Sequence, residues 1–226
     1  MPRSTLLATA SIPDTDEELK LHAHADRFAI SIAGRGELMN TRVHGSEIAL
    51  ARLTCRQIAN RDAPRLLVGG LGMGFTLAAA LAALGPGARV VVAELVPEVV
   101  EWNRGLVGEP SGHPLKDPRC EVFVGDVAQL MREAPESFDA IMMDVDNGPE
   151  ALIRMQNDWL YSAAGLAATR RALKPNGVLA VWSAAPDRRF TARLEKSGFA
   201  VNLQTVRPHR KGRGARHCIW FAERKV

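Results

Sequence analysis

The stretch from Arg65 to Leu84 restricts the possible folds more than any other part of the chain. A short apolar strand, Arg65 to Val68, runs into the glycine-rich turn Gly69-Gly70-Leu71-Gly72-Met73-Gly74, and the turn runs into an Ala/Leu-rich helix. Glycines in such a turn permit positive φ and let a ligand approach the backbone closely. The strand–helix rhythm then repeats. Residues 88–94 form an almost purely apolar strand, as expected when helices cover both faces of a sheet. Pro97 opens the next helix, at a position where its missing N–H costs nothing.

Further strands are expected at 121–124, ending on Gly125-Asp126, and at 140–143, ending on Asp144, with a short helix at 127–133 between them. A helix over 159–173 stops at Lys174-Pro175-Asn176-Gly177, and a strand at 178–182 and a helix at 188–197 come next. Two closing strands, 200–206 and 217–222, form an antiparallel hairpin on an otherwise parallel sheet. The pattern predicts one Rossmann-like, doubly wound α/β domain over residues 46–226.

Upstream, residues 1–45 read as a loosely attached leading segment and a small β-hairpin. Residues 1–26 show no sustained periodicity, whereas Phe28, Ile30 and Ile32 alternate, Gly34 and Gly36 punctuate, and 37–42 returns as a second strand. Ser46 is placed to cap a helix through Asn60.

The 226 residues suit one well-buried domain. No apolar run is long enough for a membrane span, and residues 1–18 lack a secretory layout, so the expected setting is the cytoplasm, with no membrane partner. Cys55, Cys120 and Cys218 lie far apart without CxxC spacing, which reads as reduced thiols and no metal site. A net charge of +4 permits nucleic-acid binding without arguing for it. Much of the excess sits in residues 207–217, where no aromatic side chain interleaves; a solvated hairpin loop is the simpler reading, and a nucleic-acid partner is not expected.

The candidate chemistry clusters at strand ends, which line the binding crevice of an open parallel sheet. Glu94 is placed to accept both hydroxyls of a ribose, and Asp126 to accept a hydrogen bond from an adenine amino group. Three such signals after three successive strands favour an adenosine-bearing ligand. NAD(P) is disfavoured because Phe75 stands where a GxGxxG fingerprint wants a small residue, and no Gly-Lys-Ser/Thr completes a P-loop. Asp144 and Asp146, two residues apart before Asn147-Gly148-Pro149, suit a cationic substrate or a proton acceptor.

From about Arg42 onward the chain resembles the spermidine/spermine synthase family of aminopropyltransferases, within the class I methyltransferase-like superfamily. The resemblance rests on Gly69-Gly70-Leu71-Gly72-Met73-Gly74 against a GGGDGG loop, on Glu94, on Gly125-Asp126, and on residues 144–149 against an Asp-x-x-Asp-Pro loop. Leu173-Lys174-Pro175-Asn176-Gly177, Leu160-Tyr161 and the segment Arg42 to Glu47 extend it. It implies decarboxylated S-adenosylmethionine as co-substrate, bound by Gly69, Gly70, Gly72, Gly74, Glu94, Gly125 and Asp126. It further implies a small-molecule amine such as putrescine, held by His44, Glu47, Asp146 and Tyr161, with Asp144 as the base, no metal, and a possible homodimer.

The chain departs from the family pattern in four places. Gly72 replaces the loop Asp, Gly45-Ser46 separate His44 from Glu47, the second Asp is displaced, and the N-terminal β-domain shrinks to about one hairpin. Two other readings stay open: methyl transfer from S-adenosylmethionine, served by the same glycine turn, Glu94 and Asp126, and a nucleotide or nucleic-acid binder without turnover.

Overall fold

The computed structural model describes residues 4–144, 157–206 and 216–225. Asp146 and most of the basic loop lie outside these residues.

The N-terminal region is more ordered than its sequence suggests. Four antiparallel strands, β1 (Thr5–Ser11), β2 (Glu18–Ala23), β3 (Phe28–Ile32) and β4 (Gly36–Asn40), form one sheet in that order. The expected hairpin is β3–β4, but residues 4–26 are not a loose leader: β1 and β2 extend the hairpin into a sheet. The signal was too short to read alone, because Leu19 and Leu21 gain their meaning only by pairing across the strand with Ile32 and Ile30. All four side chains are buried on one face.

Helix α1 (Gly45–Gln57) follows, starting from His44 without a side-chain cap. Ser46 does not cap it; its hydroxyl donates to Glu47 Oε2 at 2.6 Å instead. The helix also ends three residues before Asn60.

The rest of the chain builds β5 (Arg65–Gly69), α2 (Phe75–Ala83), β6 (Arg89–Glu94), α3 (Pro97–Arg104), β7 (Cys120–Val124), α4 (Val127–Glu133) and β8 (Phe138–Met143). Then come α5 (Asn157–Tyr161), α6 (Ala163–Ala172), β9 (Leu173–Ser183), α7 (Arg188–Lys196), β10 (Phe199–Val206) and β11 (His217–Arg224). The seven strands run in the order β10-β11-β9-β8-β5-β6-β7, with β5 to β9 parallel and β11 and β10 antiparallel. The expected doubly wound sheet with a C-terminal hairpin is therefore present.

The helix anticipated over 159–173 is two helices. Ser162 breaks it, its hydroxyl oxygen accepting from the Gly165 amide, and a Cβ at Gly165 would lie only 2.0 Å from the Trp159 carbonyl oxygen. β9 in turn begins at Leu173 and takes in the expected turn.

Strand alternation divides the core. Leu66, Val68, Val90, Val92 and Met142 face α1, α2 and the N-terminal sheet, while Leu67, Val91, Ile141, Leu179 and Trp220 face α4, α6 and α7. Each such side chain contributes roughly 1.5–3 kcal/mol through burial. Because Ile12, Leu19, Ile30 and Ile32 join the first of these clusters, the N-terminal sheet is packed onto the domain rather than tethered to it.

Candidate functional site

The C-terminal ends of β5, β6, β7 and β8 meet along one edge of the sheet, and each delivers a polar group there. The glycine turn after β5 is anchored by the Gly70 amide donating to the Ala93 carbonyl (2.8 Å) and the Gly74 amide to the Leu71 carbonyl (2.8 Å). Gly72 and Gly74 have φ of +52° and +80°, which a side chain at either position would strain.

Asn103 of α3, fully buried, ties the turn down from behind. Its amide nitrogen donates to the Gly72 carbonyl at 2.8 Å and the Val99 carbonyl at 2.9 Å. The segment after α3 packs in the same place: a Cβ at Gly74 would stand 3.0 Å from both Asn103 Oδ1 and Ser111 Oγ. The Ser111–Pro114 loop thus backs the glycine turn.

Glu94, at the end of β6, receives backbone donors on both oxygens, Leu71 N–H on Oε2 and Val96 N–H on Oε1, each at 3.0 Å. Burial pushes its carboxyl above the usual carboxylate range, and the backbone hydrogen bonds oppose the rise. The backbone amides of Gly72 and Leu95 bear on the same carboxylate. Asp126, after β7, caps α4 by accepting from the Ala128 amide at 2.8 Å, which fixes its orientation.

Asp144 ends β8, its own amide donating to the Gly69 carbonyl at 2.9 Å. The Thr76 hydroxyl, from the first turn of α2, donates to Asp144 Oδ2. Burial, together with the negative charge of Glu47 from α1, pushes the Asp144 carboxyl up to about 7, and the Thr76 hydrogen bond works against that rise. The Glu47 charge also reaches His217, opposing the burial that lowers that imidazole.

These groups surround two adjoining cavities. The larger spans about 890 Å³ of space free of protein atoms, the open solvent at its mouth included. Its polar floor carries Gly70, Gly72, Glu94, Gly125, Asp126 and Asp144. Its roof is the N-terminal sheet, through Ile12, Leu19, Ile30, Ile32, Leu38 and Met39. The smaller cavity shares Leu38, Met39, Gly72 and Asp144 with the first and adds Glu47, Thr76, Phe75 and Trp182.

The structure thus brings together most of the residues singled out from sequence. Gly69 and Gly74 stand behind the cavity surface, as backbone supports. His44 does not line either cavity; it stacks on Phe75 with ring centroids 3.8 Å apart and planes 8° from parallel. Tyr161 is buried in the opposite core, its ring edge-on to Phe190 at 5.5 Å, while its neighbour Leu160 reaches the larger cavity. Asp146 lies outside the described residues.

Sequence reasoning missed the apolar roof, Thr76 and Asn103. The alternation of Leu19 and Leu21 was the available signal for the roof. For Thr76 and Asn103 there was none, since a Thr in the first turn of a helix and an Asn in its last turn carry no pattern of their own.

The spermine/spermidine synthase domain matches residues 66–188. The polyamine aminopropyltransferase of Nitrosomonas europaea is 34% identical over 125 residues, which are 54% of this chain and 36% of that protein. The polyamine aminopropyltransferase of Clostridium tetani is 36% identical over 56 residues, 25% of this chain and 20% of its own. The matched stretches therefore span only about a third or less of these relatives. Among solved structures, spermidine synthase from Thermotoga maritima superposes with a TM-score of 0.76 at 18% identity, covering 98% of this chain and 73% of that one. A probable spermidine synthase from Corynebacterium glutamicum gives 0.61 at 22% identity, covering 99% and 81%. At those identities the likeness is one of fold.

Proposed function

We propose, from the premise that the chain belongs to the spermine/spermidine synthase family, that it transfers an aminopropyl group from decarboxylated S-adenosylmethionine to an amine. The observation that carries this reading is that Asp144, which lines both cavities, feels the negative charge of Glu47 in the wall of the smaller one. A carboxyl whose proton affinity is raised by a neighbouring negative charge is relieved by a cation placed beside it. An aminopropyl tail and an amine acceptor each bring one, whereas the carboxylate of S-adenosylmethionine would add a third negative charge.

The larger cavity fits the adenosyl part. Glu94 lines the floor at the end of β6 for the ribose hydroxyls, Asp126 is oriented by its cap to accept from an exocyclic amine, and the apolar sheet above excludes water from the ring. When bound, the sulfonium supplies an electrophilic methylene and leaves as a neutral thioether.

The protein's own contribution is positional and protolytic. An alkylammonium titrates near 10 or above, so the attacking nitrogen must lose a proton as it forms its new C–N bond. Asp144 takes that proton. A carboxyl raised toward neutrality is a stronger base than an ordinary aspartate. Thr76 occupies Oδ2, leaving Oδ1 for the amine. The Asn103 anchor on Gly72 holds the boundary between the cavities, where donor and acceptor must be aligned.

Calorimetric titration with decarboxylated S-adenosylmethionine and with S-adenosylmethionine tests the reading, followed by mass spectrometry of product formed from putrescine and other amines. The expected result is a clear preference for the decarboxylated form and an aminopropylated product. Preference for S-adenosylmethionine with methylated product would replace this reading with methyl transfer, and binding of neither would refute both.

A further inference from the structure

Two consecutive residues of the N-terminal sheet, Leu38 and Met39, each line both cavities. Neighbouring residues of a regular strand point to opposite faces, so a straight β4 would present only one of them there. A bulge removes that restriction. Ile30 of β3 pairs with Met39, whereas the next residue, Ser31, pairs with Glu37, which leaves Leu38 as an extra residue in β4. Met39 shares the inner face with its partner Ile30, and the bulge turns Leu38 to the same side. Glu37, one residue back, is exposed and pairs with Arg27 at 3.0 Å. Without the extra residue, alternation would turn Leu38 outward and the Glu37 carboxylate inward.

The bulge is held from both sides. A Cβ at Gly72 would meet the Met39 sulfur at 3.0 Å, and the Gly72 carbonyl is itself fixed by Asn103 at 2.8 Å. Asn40 fastens the exit of the strand: its Oδ1 accepts from the Arg42 and Val43 amides, each at 2.9 Å, and its amide nitrogen donates to Glu37 Oε1 at 2.7 Å. The Leu38–Met39 pair is thereby positioned by the protein's own contacts.

We propose that Leu38 and Met39 are positioning residues of the transfer, forming the wall along which the migrating propyl chain is held in line between the two cavities. The proposal rests on the transfer reading above and deepens it. The amine nitrogen forms a C–N bond to the transferred methylene, the C–S bond breaks with its electron pair passing to sulfur, and the nitrogen's proton goes to Asp144. Nitrogen, carbon and sulfur must lie nearly on one line for this displacement, yet both partners rotate freely about their methylenes. An apolar wall restricts those rotations without holding either charged end. Its loss therefore falls on kcat more than on co-substrate binding.

The test compares wild type with Leu38→Ala, Met39→Ala and Met39→Leu in kcat and KM with putrescine, co-substrate affinity by calorimetry, and Tm. For Met39→Ala the expected result is a kcat lower by about 10- to 100-fold with a co-substrate Kd within about fivefold of wild type. Leu38→Ala should behave in the same way. Met39→Leu, which keeps an apolar side chain of similar volume, should recover most of kcat. Unchanged kcat in both alanine variants would overturn the proposal while leaving the transfer reading standing. So would a fall in kcat matched by an equal loss of affinity or by a collapse of Tm, or a Met39→Leu variant as slow as Met39→Ala. Failure of the wild-type protein to bind the co-substrate, or to form an aminopropylated product, would instead remove the transfer reading and the proposal with it.

Discussion

Replacing Asp144 by Asn should stabilise the protein at and above neutral pH while ending transfer. The Asp144 carboxyl is displaced from 3.8 to about 7, mainly by burial and then by the Glu47 charge. At about 1.4 kcal/mol per pH unit, holding it ionised costs the folded state roughly 4 kcal/mol, an upper bound because the side chain is only partly shielded and its surroundings relax. The native state binds the extra proton, so wild-type stability is intact below the unfolded value near 4 and is lost as pH rises toward about 7. Asn keeps an oxygen to accept from the Thr76 hydroxyl and removes only the charge.

Urea unfolding of both proteins should therefore give nearly equal stabilities at about pH 4. The Asn variant should gain through the interval between, with a plateau of about 2–4 kcal/mol at about pH 8. A gain that is the same at both ends of the range, or a loss at the alkaline end, would refute the electrostatic account of the site.

The same geometry sets three further outcomes. Glu47→Gln removes the charge that raises Asp144, so the acidic limb of the pH profile of kcat/KM should shift to lower pH; an unmoved limb would mean the two carboxylates do not interact. Glu94→Gln keeps one acceptor oxygen but turns a donor toward the backbone amides, and should weaken the co-substrate by about 10- to 100-fold in calorimetry, corresponding to about 1–3 kcal/mol; unchanged affinity would exclude Glu94 from the site. Gly74→Ala places a Cβ 3.0 Å from Asn103 Oδ1 at a φ of +80°, and should cost about 1–3 kcal/mol, read as a lowered Tm; a Tm within experimental error of wild type would contradict the packing behind the turn.

Much of the domain was legible because its signals are local. A glycine-rich turn between a strand and a helix, and acids terminating successive apolar strands, carry their meaning within a few residues. Glu94, Asp126 and Asp144 accordingly line the cavity where strand-end reasoning put them. The site's second half was not legible in this way. His44 and Tyr161 were assigned by resemblance, and their rings lie against Phe75 and Phe190 instead of on a cavity wall.

By itself the sequence determined the strand–helix alternation from β5 to β8 and the polar floor, since strand period and chain direction dictate which residues emerge at the C-terminal edge of a parallel sheet. Only the tertiary structure decided the roof and the coupling of charges. Leu19 and Leu21 become a buried face when β2 pairs with β3, and Glu47, 97 residues before Asp144, acts on it only after α1 packs beside the sheet. Pairing, burial and charge interaction depend on distance in space, which spacing along the chain does not encode.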